Sequence, residues 1–234
     1  MFIQTVDALA TDPDLGDCVE HFLKPERLWR RDEVVQRPSP IPAVPGVYGW
    51  WFDRLPAQID VAACHQLQDF VLLYRGISPK RPPMNGRPPS RGQLRQRIRT
   101  HYSGNAEGST LRKTLGCLLA RELGIQLRRV GSGNRRTFVD GEHRLSAWMS
   151  DHAFASLLPN EQPWDMEDEL IRRLDLPLNL EGNGHNAFHP ELTRVRALAV
   201  AEANALPVVP NPGSRGRITQ QATPTVTSRN ATER

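Results

Sequence analysis

The sequence predicts a mixed α/β chain of the α+β kind, built on three short strands with helices between and after them. Three observations predict it. Residues 46–52, 70–75 and 153–158 are short runs of apolar, aromatic and β-branched residues bounded by turn-forming positions, the pattern of strands. Residues 90–102, 110–123 and 164–174 carry leucine or isoleucine three and four apart, the spacing of a helix with one buried face. Finally, 234 residues with 38% apolar and 24% charged content suffice to bury a core as one globular domain with extensions.

Taken in order, residues 1–43 read as a strap, with a helix over 15–29 followed by a stretch in which Pro38, Pro40, Pro42 and Pro45 exclude helix and most ladder pairing. The strand 46–52 puts Val47 and Gly49 on one face and Tyr48 and Trp50 on the other. The strand 70–75 is continuously apolar up to Tyr74, which suggests a central place in the sheet, and Gly76 is expected to end it. Pro79, Pro82, Pro83, Pro88 and Pro89 break the next stretch into a loop. Ser90 is a suitable N-cap for the helix 90–102. There Leu94 and Ile98 point inward, while Arg97 and His101, one turn apart, flank that stripe. A turn at 104–109 leads to the helix 110–123, with Leu111, Leu115 and Leu119 inward. Residues 125–130 and 136–139 are expected to form a hairpin around the glycine-rich 131–135. A short helix over 142–149, the strand 153–158 and a last helix over 190–205 complete the domain. From 206 to 234, Pro, Thr, Ser, Asn and Arg predominate, the composition of a disordered tail.

The helix 164–174 carries the most informative residue. Pro163 and the acids Asp165, Glu167, Asp168 and Glu169 favour a helix start. At about 100° per residue, Met166, Leu170 and Leu174 share a side, with Ile171 beyond them. Glu167 projects between Ile171 and Leu174, so a carboxylate points into the face that should be buried. Such a group needs a cation, a metal or a proton to offset desolvation; a rim glutamate paired to an arginine is the plainer alternative.

Charge and composition narrow the function classes. The net charge is +4 and the pI about 9.3. The bias is local: residues 75–113 hold ten Lys or Arg and the single acid Glu107, the footprint of a surface that meets a polyanion. No run of eighteen apolar residues is present, and the N-terminus lacks the basic-then-apolar order of a signal peptide, so a cytoplasmic protein without membrane contact is expected. Cys18, Cys64 and Cys117 are too few and too far apart for a disulfide framework or a cysteine zinc site. His185 and His189 have helical metal spacing, but Gly182, Asn183, Gly184 and Pro190 favour a loop there, and no zinc site is expected.

Assembled, these pieces resemble the GIY-YIG nuclease superfamily, including its restriction endonucleases. Gly46-Val47-Tyr48 stands for the first tripeptide and Tyr74-Arg75-Gly76 for the second. Arg97 with His101 one turn later, then Glu167 followed by Leu170 and Ile171, then Asn179 beyond Pro177, match the family's polar positions in order. The resemblance covers about residues 44–181 of an expected domain at 44–205, with an insertion at about 104–150. It implies a small, central, mainly antiparallel three-stranded sheet flanked by helices, and a metal-dependent endonuclease that hydrolyses phosphodiester bonds, most naturally in DNA. By similarity, Tyr48 is the general base, His101 and Tyr74 position it, Arg97 braces the scissile phosphate, Glu167 ligates Mg²⁺ or Mn²⁺, and Asn179 orders the site. A phenol with a pKa near 10 is a poor base at pH 7 unless cations lower it. Lys80, Arg81, Arg87, Arg91, Arg95 and Arg99 are the expected nucleic-acid contacts. One departure is Ile77, where related repair nucleases commonly carry Lys; Lys80 or Arg81 could substitute. A non-cleaving nucleic-acid-binding module and a structural protein with Glu167 paired to Arg97 are the alternatives.

Overall fold

Residues with long apolar runs need cover on two sides, and that requirement sets the architecture. The structure, a computed structural model, describes residues 15–85 and 90–212. In chain order the elements are α1 (Leu15–Leu23), α2 (Arg31–Val34), β1 (Gly46–Phe52), β2 (Gln66–Leu67), β3 (Phe70–Ser78), α3 (Leu94–Ser103), α4 (Thr110–Leu118), α5 (Ala120–Leu123), β4 (Arg128–Val130), β5 (Arg135–Thr137), α6 (Gly141–His152), β6 (Ala153–Pro159), α7 (Pro163–Arg173) and α8 (His189–Ala205). The main sheet has the order β2-β3-β1-β6 and is antiparallel throughout.

Four strands therefore stand where three were expected. The extra one, β2, pairs only Gln66 with Val71 and Leu67 with Phe70, and two residues carry no readable periodicity. The centre also differs from expectation. It is β1, buried at every position and paired on both edges, while β3 beyond Val71 has β1 alone as a strand neighbour. The apolar run of β3 reports cover on both faces rather than strands on both edges. Nor does Gly76 end it, since pairing continues to Ser78.

Alternation along β1 sorts the core into two layers. Tyr48, Trp50 and Phe52 join Leu94 and Ile98 of α3, Leu111 and Leu115 of α4, and Leu145 and Met149 of α6. Val47 and Trp51 join Val19 and Phe22 of α1 and Met166 and Leu170 of α7. Each fully buried leucine or isoleucine stabilises this packing by about 1.5–3 kcal/mol.

Local chemistry explains where the helices begin and end. α3 starts at Leu94 rather than at Ser90, and the Leu94 N–H donates to Val44 O at 2.9 Å, which ties the entry to the segment just before β1. α4 is capped by Ser109, whose Oγ accepts the Arg112 N–H. α5 stops at Gly124, in the left-handed conformation with φ +59°. The expected hairpin is present as β4 and β5. Val209, in the stretch assigned on composition to a tail, hydrogen-bonds Arg129 O and receives the Gly131 N–H, so the chain is still paired there; residues 213–234 lie outside the described residues. No described helix is long and apolar enough to cross a membrane.

Candidate active site

The site begins with a close approach across the sheet. Tyr48 of β1 lies opposite Gly76 of β3, and its ring covers the glycine so closely that a Cβ there would meet the Tyr48 Oη at 2.3 Å. Only the absence of a side chain at Gly76 lets the phenol occupy this position. Tyr74, opposite Trp50, faces the same side. α3 lies over that side, and its one-turn spacing brings two groups to one oxygen: Arg97 Nε donates to Tyr48 Oη at 3.2 Å, and His101 Nε2 lies 2.9 Å from it. Arg97 Nη1 donates to Gly108 O at 3.1 Å. His101, expected at the rim of the buried face, is fully buried behind Tyr48, and its Nδ1 is 2.7 Å from Ser109 Oγ.

Burial dominates the electrostatics of this pocket. It pushes the Tyr48 phenol above its ordinary value of 10, and the charge and hydrogen bond of Arg97 pull against that without cancelling it. Tyr74 is raised as well, first by burial and then by Tyr48. His101 is held well below 6.5 by burial, with Arg97 and Arg112 adding repulsion, so its ring is neutral at pH 7. Arg97 therefore does not bring the Tyr48 phenol below its ordinary value.

The opposite wall comes from α7 and the segment after it. Met166, Leu170 and Ile171 are buried, and Glu167 between them keeps a quarter of its side chain exposed. Its carboxylate is paired with Arg75, which is only 7% exposed. The cation beside Glu167 is thus Arg75, not Arg97. Arg75 is held by Asn179, whose Oδ1 accepts the Arg75 N–H at 2.9 Å and whose Nδ2 donates to Arg75 O at 3.0 Å. The amide of Asn179 takes the place of a strand neighbour on the open edge of β3.

One cleft of about 720 Å³ joins the two walls. Tyr48, Tyr74, Arg97, Glu167 and Asn179 line it, together with Arg75, Ile77, Lys80, Arg81 and His185. Arg81 is paired with Asp168 at 2.5 Å and donates to Trp164 O, while Lys80 is exposed. Arg91, Arg95 and Arg99 do not line the cleft, and Arg95 Nε donates instead to Ile41 O at 2.6 Å, fastening α3 to the strap. Arg87 lies outside the described residues.

Neither Arg75, though part of the second tripeptide, nor Ser109 was expected among the site residues. Arg75 had a signal, a cation after five apolar or aromatic residues of a strand, as anomalous there as Glu167 is on its helix. Ser109 had none beyond preceding a helix.

Magnesium and manganese take hard oxygen ligands, and magnesium retains several waters, so one or two carboxylates suffice to hold it. Glu167 fits that requirement, as a partly exposed oxygen donor on the wall of a roomy cleft lined in part by charged side chains. Among the described residues no cluster of three His, Cys, Asp or Glu side chains could hold a metal with protein ligands alone. A partly exposed carboxylate of this kind suits a hydrated hard cation. Comparison with protein families matches residues 46–198 to the GIY-YIG catalytic domain. No curated protein and no solved structure matches the chain.

Proposed function

This chain belongs to the GIY-YIG catalytic domain family of nucleases, and from that premise we propose that it is a divalent-metal-dependent endonuclease acting on DNA. The observation that carries the proposal is a phenolic oxygen held by a guanidinium and an imidazole in the same cleft as a partly exposed carboxylate. We take 44–205 as the nuclease domain, with 1–43 as its strap.

Hydrolysis of a phosphodiester needs an oriented water, a base for its proton and positive charge at the phosphoryl and leaving oxygens. Glu167 would hold the cation, and the bound ion would supply positive charge to those oxygens. Arg97, whose Nη2 has no hydrogen-bond partner among the described residues, would offer it to a phosphate oxygen while Nε steadies Tyr48. Tyr48 accepts the proton of the attacking water, with its phenolate favoured by the Arg97 N–H directed at Oη. Tyr74, whose hydroxyl has no protein partner among the described residues, orients the water from the same side. Asn179 keeps the β3 edge, and with it Arg75, in place.

Pairing of Glu167 with Arg75 is the feature that favours the second reading, a domain that binds nucleic acid without cutting it. One experiment separates the two. Supercoiled plasmid, linear duplex, branched DNA and RNA are incubated with the protein, with Mg²⁺ or chelator, beside Glu167→Ala and Glu167→Gln. The Gln variant keeps a hydrogen-bond acceptor for the buried Arg75. Metal-dependent cleavage of DNA by the parent and loss of at least about 100-fold in both variants, with DNA binding retained, is the expected result. Binding without cleavage by all three proteins would establish the second reading instead.

A further inference from the structure

Ser109 makes two contacts that together constrain protons not visible in the heavy-atom positions. Its Oγ accepts the Arg112 N–H at 3.0 Å, which caps α4, and lies 2.7 Å from His101 Nδ1. The residue is fully buried, so its single hydroxyl proton needs an acceptor inside the protein. Among the described residues the acceptor it reaches is His101 Nδ1. A neutral imidazole carries one N–H, and a ring that accepts at Nδ1 carries its proton on Nε2. Nε2 is the atom 2.9 Å from Tyr48 Oη.

We propose that Ser109 is a positioning residue that fixes His101 as the Nε2–H tautomer and so makes it a hydrogen-bond donor to Tyr48. This rests on the role given to Tyr48 in the proposed nuclease reaction. Tyr48 Oη then receives two N–H bonds, from His101 and from Arg97, and its own proton is directed to the cleft. When Tyr48 ionises, that proton passes to water in the cleft rather than to His101, and the phenolate left behind keeps both donors. It later takes one proton from the attacking water and becomes the phenol again. The segment at about 104–150, expected from the sequence as an insertion, thus supplies a group on which the chemistry depends.

The test is a long-range ¹H–¹⁵N correlation spectrum of the histidine rings at pH 7.5, which reports the tautomer of His101 without requiring any cleavage. Wild-type protein is expected to show Nε2 protonated and Nδ1 bare. Ser109→Asp keeps an acceptor for the Arg112 N–H but has no proton to give, and should place a proton on Nδ1. Ser109→Ala should lose the single-tautomer signature and lower kcat by at least about tenfold with KM little changed, and Ser109→Thr should restore both. A wild-type ring protonated on Nδ1 alone, or a bare Nδ1 retained in both Ser109→Asp and Ser109→Ala, overturns the proposal. Because the spectrum is independent of turnover, an inactive wild-type protein with the expected tautomer would count against the nuclease reaction and not against the role of Ser109.

Discussion

Gly76 decides the geometry at the scale of single residues. Its missing side chain is filled by the Tyr48 ring, with Oη and Cζ at 2.3 and 2.4 Å from where a Cβ would stand. Neither backbone pairing nor turn formation requires a glycine here, since Gly76 sits inside a regular antiparallel ladder. Glycine within a strand weakens it by roughly 0.5–1 kcal/mol relative to alanine, so its presence reflects the close approach. Gly76→Ala is expected to push Tyr48 off Arg97 and His101. Steric displacement in a packed region costs about 1–3 kcal/mol, and cleavage should fall by more than that stability loss explains. Urea denaturation alongside plasmid cleavage, at a temperature where the variant remains folded, checks both halves. Full activity in a folded Gly76→Ala protein would remove Tyr48 from the reaction as written.

Among the elements, the joint between α4 and α6 supports the site from behind. Arg112, with no exposed surface, places Nε and Nη2 on Glu142 Oε2 at 3.1 and 2.7 Å and directs Nη1 to the carbonyls of His101 and Tyr102. These carbonyls are near the end of α3, where they have lost their helical partners, so one guanidinium both ends α3 and holds α4 against α6. A buried pair of this kind adds little when compared with an apolar replacement of both partners, but breaking it from one side is costly. Arg112→Leu is therefore expected to destabilise the protein by about 3–5 kcal/mol, and the paired change Arg112→Leu with Glu142→Leu by less than the sum of the two single changes. Denaturant midpoints for the double-mutant cycle test this, and additive losses would show that the pair is not coupled.

On the scale of the whole molecule, the charge that lines the cleft is largely already paired. Arg75, Arg81 and Arg172 line it, but each meets a carboxylate, respectively Glu167, Asp168 and Glu169. Lys80, exposed, and Arg97, with Nη2 available, are the cations that meet no carboxylate among the described residues lining the cleft. Two to four phosphate contacts would lower affinity by roughly 10- to 150-fold between 50 and 200 mM salt. Fluorescence anisotropy of a labelled duplex with Glu167→Gln measures this without cleavage. Lys80→Ala should reduce the slope of log affinity against log salt by about one; an unchanged slope would place Lys80 outside the interface.

Much of this was legible without a structure, because it depends on neighbours in sequence. Strand and helix positions, the two faces of β1, the one-turn spacing of Arg97 and His101, and Glu167 as a misplaced carboxylate all follow from residue type and periodicity. So did the order of the polar positions that places the chain in its family. What the sequence left open are relations between segments far apart in it. Arg75 meets Glu167 across 92 positions and Asn179 across 104, and Trp51 Nε1 reaches Ser156 across 105. No local pattern encodes which of two arginines a carboxylate will meet, because that depends on strand pairing and on the packing of α7 against the sheet. The same holds for the protonation of the site. Tyr48 and His101 are ordinary residues in the sequence, and only their enclosure between the sheet and α3 withholds the water that would keep their titration ordinary.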